Sequence, residues 1–324
     1  MPGSRVFDFV EPYSFQAAIR AGTYEVLVNA RGAFKTELTR VSLDRLWLQR
    51  SESNLPWIMR RWTDPARSPI VFLAETDQAP VHEDGEEMAA DQIAVYCGGI
   101  NHGRTEGPSQ LASMSLTPED LDAAFEALTG RPYSAPSDTH VVRPDPQSMT
   151  RLRTLHRATT QLAKEAPDFI ANPAISKALE QELVRAMVAC LTGPTHAQPR
   201  AGAWQRGRVM TRFEEFLATK RYEPVYLAEI CAALAVSERT LRACCHEHLG
   251  IGPIRYLWLR RMHLARRALL RAGHSARSVT DIATEHGFWE LGRFAVEYRT
   301  LFGESPSASL HRPADATLGQ RTAY

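Results

Sequence analysis

Residues 281–307 read DIATEHGFWELGRFAVEYRTLFGESPS, and this segment is the most informative about the fold of the C-terminal third of the chain. It begins as a short helix, for which Ser278 is the N-cap and Asp281 occupies the capping-box position. Gly287 supplies a tight turn, and Gly303 ends a second helix. A short helix, a tight turn and a second helix that ends in glycine predict a helix-turn-helix unit.

The same pattern occurs once more upstream, at a spacing of about 52 to 53 residues. In this first copy residues 227–234 form the first helix, Ala235 and Val236 form the turn, and Ser237 caps a second helix that Gly250 terminates. Apolar residues lock the two helices together and leave the opposite face of the second helix outward. The corresponding positions of the two copies are Ile230 and Ile282, Val236 and Phe288, Leu241 and Phe294, Cys245 and Tyr298, Gly250 and Gly303, and Pro253 and Pro306.

A single long helix at 253–273 joins the two units, with Pro253 at its start and Gly273 at its end. Its apolar residues recur at spacings of three and four, and its arginines are placed to reach solvent or phosphate. The apolar set is Ile254, Trp258, Met262, Ala265 and Leu269, and the arginine set is Arg255, Arg260, Arg266, Arg267 and Arg271. Its roughly nineteen residues span about 28 Å, close to the roughly 34 Å between successive major-groove entries on one face of DNA.

With these features, residues 204–312 resemble the DNA-binding domain of AraC/XylS-type transcriptional regulators. The second unit matches the order Ile-Ala, Gly-Phe, Phe, Tyr-Arg, Phe-Gly and Ser-Pro of that family over about thirty residues. The resemblance implies an all-α domain whose two second helices enter successive major grooves of double-stranded DNA. It also implies a transcription regulator, an activator as is common in the family, that works with RNA polymerase.

The resemblance places particular side chains at the bases and at the phosphates. The base-contacting positions are Arg239, Arg242 and Ala243 in the first unit and Glu290, Leu291, Arg293 and Val296 in the second. Arginine offers guanine a bidentate fork, so Arg239, Arg242 and Arg293 are the candidates for direct readout. Ala243 and Val296, where the family often has arginine, can at most contact a thymine methyl. The candidates for phosphate contacts are Ser237, Arg206, Arg260 and Arg299. A salt bridge would serve the last three equally well.

The charge distribution favours a polyanionic partner for this part of the chain. Residues 204–312 contain 17 Lys and Arg against 11 Asp and Glu, a net charge of +6. Because the whole chain has a net charge of +1, the remaining residues together carry −5. A basic segment on an acidic remainder fits nucleic-acid binding, although charge alone does not prove it. A composition of 44% hydrophobic and 23% charged residues is typical of globular proteins.

The upstream part, from Tyr24 to Leu116, reads as short strands separated by turn residues. The predicted strands are YEVLVN, AFKTELTRVS, RLWLQRS, PWIMRRW, PIVFLAE, QIAVYCG and QLASMSL. They predict an antiparallel barrel or sandwich, which resembles the cupin-like sensing domains that such regulators often carry. The candidates for contact with a small-molecule effector are Trp47, Trp57, Trp62, Phe72 and Tyr96. Aromatic residues on strands, however, belong to the core more often than to a binding site.

The predicted fold class is α+β, with a cupin-like β-barrel or sandwich, a helical connector and a C-terminal all-α double helix-turn-helix domain. The predicted boundaries are 1–133 for the effector-sensing domain, 147–192 for the connector, 193–203 for a linker, 204–312 for the DNA-binding domain and 313–324 for a disordered tail. The second connector helix, which begins at Pro173, carries an apolar stripe. This stripe would either join two chains in a homodimer or pack against its own barrel.

The competing class is an enzyme, because cupin barrels often hold a catalytic metal through clustered histidines and carboxylates. Between Tyr24 and Leu116 the histidines are His82 and His102, without an H-x-H pair. We therefore expect no metal, no cofactor and no catalysis, and a cupin-type metalloenzyme fused to a DNA-binding module is the alternative. A further alternative is an architectural DNA-bending protein, which would not need so long a folded N-terminal part.

Cysteines and apolar runs bear on the cellular location. The five cysteines show no C-x-x-C spacing, and we expect the adjacent Cys244 and Cys245 to be buried thiols in a reducing compartment. The sequence contains no stretch of about eighteen apolar residues and no apolar segment typical of a signal peptide. A cytoplasmic protein at the bacterial nucleoid, with no membrane partner, is predicted.

Overall fold

The computed structural model of the chain describes residues 2–133, 139–192, 195–196, 203–220, 225–273, 277–312 and 319–321. The strands are β1 (Gly3–Phe9), β2 (Gly22–Val28), β3 (Thr36–Ser42), β4 (Trp47–Ser53), β5 (Trp57–Thr63), β6 (Ser68–Leu73), β7 (Val81–Glu83), β8 (Glu86–Glu87), β9 (Ile93–Val95), β10 (Ile100–Thr105), β11 (Ser109–Leu116), β12 (His140–Arg143), β13 (Thr195–His196) and β14 (Gly319–Arg321). The helices are α1 (Pro12–Ala18), α2 (Pro118–Thr129), α3 (Pro146–Glu165), α4 (Pro167–Ala171), α5 (Pro173–Leu191), α6 (Ala203–Thr219), α7 (Leu227–Leu234), α8 (Glu238–Leu249), α9 (Pro253–Ala272), α10 (Val279–Glu285), α11 (Leu291–Phe302) and α12 (Pro306–Leu310). The fold class is α+β, as predicted.

Two antiparallel sheets make up the N-terminal part. The first has the order β13-β12-β9-β6-β11-β4-β3-β1-β14, and the second has the order β2-β5-β10-β7-β8. Each predicted strand overlaps an observed one, and the prediction missed β1, β7, β8, β10, β12, β13 and β14. The strand β14 pairs with β1, so the expected disordered tail is wrong for residues 319–321. Residues 313–318 and 322–324, and most of the predicted linker 193–203, lie outside the described residues.

Strand β5 shows how the layers are stacked. Trp57 and Met59 contribute to the core between the two sheets, whereas Ile58 contributes to the core of the C-terminal helices. Successive side chains of a strand point to opposite faces. The second sheet therefore separates the interior of the N-terminal part from the C-terminal helices.

The helices α2 to α5 cover the outer face of the first sheet and share one core with it. In α5, Leu183, Met187, Val188 and Leu191 are buried in this core. The apolar stripe of the predicted connector therefore packs against the protein's own sheet, which is the second of the two alternatives derived from the sequence. Association of two chains remains a prediction.

The tandem repeat predicted from the sequence is present in the helices α7 to α12. Ile230 and Ile282 are both 0% exposed, and they occupy equivalent positions in the first helix of each unit. Gly250 and Gly303 end α8 and α11 with φ of 71° and 77°. A residue with a Cβ is strained in this left-handed conformation, which is why glycine ends both helices.

In the described part of the chain, every helix is too short or too polar to span a membrane.

Candidate nucleic-acid interface

The second helix of the first unit, α8, presents a polar face outward. Its N-cap Ser237 accepts a hydrogen bond from the Thr240 backbone N–H at 3.1 Å. The inward face is buried, and it consists of Leu241, Cys244, Cys245, His248 and Leu249. The base-contacting candidates Arg239, Arg242 and Ala243 are exposed. Local capping and apolar spacing thus produce the predicted orientation, and the two adjacent cysteines are buried as predicted.

The second unit has the same arrangement with a more apolar outer face. Ser278 and Asp281 form the predicted capping box, and Gly287 turns the chain at φ 76°. Phe294 and Tyr298 of α11 face inward, whereas the candidates Leu291, Arg293 and Val296 are exposed, and Glu290 is exposed immediately before the helix. With 66% of Val296 exposed, this face is suited to contact an apolar group such as a thymine methyl.

Arg242 of α8 and Arg293 of α11 line the same open groove, a cavity of about 400 Å³ whose floor includes Trp258 of α9. Arg242 Nε donates to Glu238 at 2.9 Å, and Arg293 Nε donates to Glu297 at 2.8 Å. Both pairs join residues one helical turn apart on exposed surfaces, and such pairs contribute only about 0.3–0.5 kcal/mol. A bidentate contact with guanine is worth about 1–3 kcal/mol, so DNA can displace both glutamates.

The four candidates for phosphate contacts differ in their exposure and in their partners. Ser237 and Arg299 are exposed. Arg206 Nε lies 2.6 Å from Glu247 Oε2, which fits the salt-bridge alternative. Arg260 was predicted wrongly, because it is 7% exposed and its guanidinium donates to Glu25 and to the Leu217 carbonyl oxygen.

The reason for this error is that the second sheet covers one side of α9. Arg260 of α9 pairs with Glu25 of β2, and Arg266 pairs with Glu11 at 2.6 Å, although the sequence predicted both arginines to reach solvent or phosphate. Ile254, placed on the apolar side, is 58% exposed. The helix is therefore buried on the side of these two arginines.

A buried carboxylate connects the second sheet to the C-terminal helices. Glu214 of α6 is 0% exposed and accepts hydrogen bonds from the Tyr256 hydroxyl at 2.7 Å, from Arg60 Nη1 at 3.2 Å and from His102 Nε2 at 3.3 Å. Burial alone would raise the pKa of Glu214, but the hydrogen bond from His102 and the charges of His102, Arg60 and Arg260 lower this pKa to about 2. The carboxylate is therefore ionised and links both parts of the chain.

A cavity of about 60 Å³ lies between the two sheets. Of the five aromatic effector candidates, Tyr96 lines it. The other four were predicted wrongly, because the sheets direct them elsewhere. Trp57 is buried in the adjoining core, and Phe72 faces the helices, with its ring centroid 5.4 Å from that of His156. Trp62 is 54% exposed, and Trp47 lies beneath the guanidinium groups of two arginines.

Sequence reasoning missed the charged pair that borders this cavity. Arg61, which lines the cavity, is 3% exposed, and its Nη1 lies 3.4 Å from Oε2 of the equally buried Glu83. Its guanidinium carbon lies 3.9 Å from the centroid of the Tyr96 ring. Burial raises the pKa of Glu83, and Arg61 opposes this rise. The alternation of β5, which puts Arg61 on the side of Trp57 and Met59, was the signal in the sequence.

By sequence, known proteins match about a third of this chain or less. A family model described as "Helix-turn-helix domain" matches residues 230–312. The probable thc operon regulatory protein of Rhodococcus erythropolis is 40% identical over 96 residues, which are 30% of this chain and 29% of that protein. The XylDLEGF operon transcriptional activator 2 of Pseudomonas putida is 31% identical over 115 residues, which are 35% of this chain and 73% of the activator.

Among solved structures, the AraC-like transcriptional activator CuxR aligns over 88% of this chain and 100% of its own, with 15% identity and a TM-score of 0.42. The match to the Pseudomonas activator spans 73% of that protein at 31% identity. The chain belongs to the AraC/XylS-type transcriptional regulators.

Proposed function

We propose that this chain is a sequence-specific regulator of transcription that reads two successive major-groove segments of double-stranded DNA. The observation that carries the proposal is that Arg242 and Arg293 are both exposed on the second helix of their unit. The spacer α9 contains 20 residues and is about 30 Å long. This length is close to the roughly 34 Å that separate successive groove entries on one face of DNA.

The proposed regulator responds to a small molecule that binds in the cavity between the sheets. The cavity combines apolar residues such as Met59 and Leu111 with Arg61, Tyr24 and Tyr96, a mixture typical of sites for small amphipathic ligands. Since the cavity holds only about 60 Å³ in this state, a ligand larger than a few atoms would have to displace side chains around it. Such a displacement would move β5, which contacts the C-terminal helices on its other face.

The remaining parts of the proposal follow the family. We expect an activator that contacts RNA polymerase in the bacterial cytoplasm and binds DNA as a homodimer. We assign it no catalytic role.

Selection of bound sequences from a random double-stranded DNA pool by the full chain tests the proposal. We expect one enriched motif in which each bound chain accounts for two half-sites, one per unit, whose centres lie about 10–10.5 base pairs apart. Binding without any enriched sequence would contradict it and would favour the architectural alternative. A thermal-shift screen of the full chain against small metabolites tests the effector, and no stabilisation across a broad panel would contradict that part.

A further inference from the structure

Three potential metal ligands meet where the second sheet contacts α8. They are Asp84, in the turn between β7 and β8, His102 of β10 and His248 of α8. One donor atom from each lies within 4.8 Å of the others. The cluster lies apart from the cavity between the sheets and from the exposed face of α8, because His102 and His248 are buried at the contact between the two parts of the chain.

His248 has no hydrogen-bond partner in the described part of the chain, although it is 3% exposed. Neither Nδ1 nor Nε2 is bonded, and the ring stands edge-on to that of His102 with centroids 6.1 Å apart. A buried polar group without a partner costs about 1–3 kcal/mol. Both ring nitrogens of this buried side chain are therefore available to a metal ion.

His102 is oriented by a carboxylate on the far side of its ring. Its Nε2 lies 3.3 Å from Oε1 of Glu214, so Nε2 is the ring nitrogen that donates to this carboxylate. Nδ1 is therefore the ring nitrogen that remains to bind a metal ion. Histidines that bind metals usually donate their other N–H to a carboxylate or carbonyl oxygen in this way.

Asp84 is also held in position. Its Oδ1 accepts from the His102 backbone N–H at 2.8 Å, and its Oδ2 accepts from Asn101 Nδ2 at 2.9 Å. The residue has φ 47°, a conformation that residues other than glycine adopt at a cost. Asp84 and Gly85, with φ 87°, form the two-residue turn of the β7–β8 hairpin, a position at which Asp-Gly is favoured, and this turn holds the carboxylate beside the two histidines.

We propose that Asp84, His102 and His248 bind a divalent transition metal ion of the zinc class, which ties the second sheet to α8. Two imidazole nitrogens and one carboxylate oxygen form a ligand set that zinc accepts, with a water molecule in the fourth position. Ligand atoms in a tetrahedral zinc site lie about 3.3 Å apart. Small rotations of the three side chains, each moving its donor atom by about an ångström, would therefore complete the site. The ion would hold a predicted DNA-reading helix against the N-terminal part.

The expectation of no metal came from counting histidines between Tyr24 and Leu116, and His248 lies 146 positions after His102. The proposed ion is structural, and the prediction against metal catalysis is unaffected. Binding of the ion also does not depend on DNA binding or on an effector.

Titration of the EDTA-treated full chain with Co²⁺, followed by visible absorption, and with Zn²⁺, followed by calorimetry, tests the proposal. We expect one ion per chain and an absorption typical of four- or five-coordinate cobalt. His248→Gln should weaken binding by ~100-fold or more, and Asp84→Asn by ~10–100-fold. The matched control is His246→Gln, two positions away on the exposed side of α8, which should bind like the wild type.

Absence of stoichiometric binding to the wild type would overturn the proposal. So would equal affinities of the wild type and His248→Gln. Circular dichroism checks that each variant is folded. If His248→Gln does not fold, equal affinities of the wild type and Asp84→Asn would overturn the proposal.

Discussion

Arg60 and Arg61 are neighbours on β5 and point to opposite sides of the second sheet. Arg60 Nη1 lies 3.2 Å from Glu214 Oε2 in α6, and Arg61 Nη1 lies 3.4 Å from Glu83 Oε2 beside the cavity. Alternation along a strand imposes these directions. One backbone segment therefore contacts both the proposed effector cavity and the DNA-binding part, which is the route we infer for communication between them.

Replacing Arg60 should weaken the junction between the two parts. In Arg60→Met the carboxylate of Glu214 stays buried and keeps the hydrogen bonds from His102 and Tyr256. We expect the free energy of unfolding to fall by about 1–3 kcal/mol, less than for a buried charge that loses every partner. Urea denaturation of the full chain measures the change. Arg31→Met, at an exposed position, is the control, and equal stabilities of the two variants would contradict the prediction.

The two candidates for direct readout should each act on one half-site. Arg242→Ala or Arg293→Ala should cost about 1–3 kcal/mol of DNA binding and relax the preference at one base pair. Fluorescence anisotropy with the selected motif and its single-base variants measures both effects. Arg271→Ala is the control, because Arg271 of α9 contacts the Tyr13 hydroxyl of α1 and lies outside the groove. If neither variant changes the binding curve, the assignment of these two arginines is wrong.

DNA binding should depend strongly on salt, because contacts with phosphates release condensed counterions. With about four such contacts the affinity should fall ~100-fold between 50 and 200 mM salt. Arg299→Ala removes one exposed candidate for a phosphate contact. It should lower the slope of log affinity against log salt concentration by about one without changing the base preference. A flat response of the wild type to salt would contradict the DNA-binding proposal itself.

Stability should fall on acidification through His156 of α3. This side chain is 1% exposed, and burial, with a smaller contribution from the charge of Arg50, lowers its pKa to about 4. Below the ordinary value near 6.5 the unfolded chain takes up a proton that the folded chain does not. The loss therefore grows as the pH falls from about 6.5 to about 4 and reaches about 3 kcal/mol.

Urea denaturation at pH 7 and at pH 4.5 measures this dependence. His156→Gln should show a smaller difference between the two pH values, because the titrating group is gone. His246→Gln, on the exposed side of α8, should keep the difference of the wild type. An unchanged pH dependence in His156→Gln would contradict the prediction.

Local features of the sequence determined the helix-turn-helix units. Ser237 and Ser278 cap helices, Gly250 and Gly303 end them, and these effects act within one or two turns of chain. Seven strands of the N-terminal part, β2 to β6, β9 and β11, could be predicted for the same reason, since the alternation of polar and apolar residues lies within each strand. The apolar spacing indicated which face of α8 points outward, and the family resemblance placed Arg242 and Arg293 at base-contacting positions.

Which surfaces cover one another depends on contacts between residues that are far apart in the sequence. Arg260 has the periodicity of an exposed helical residue and yet is buried, because β2 supplies Glu25 from a distant part of the sequence. Phe72 was a candidate for the effector site, but it faces the helices. Asp84, His102 and His248 lie together although their spacing in the sequence does not indicate it. Contacts between layers depend on how whole sheets and helices dock, and local spacing carries no information about that docking.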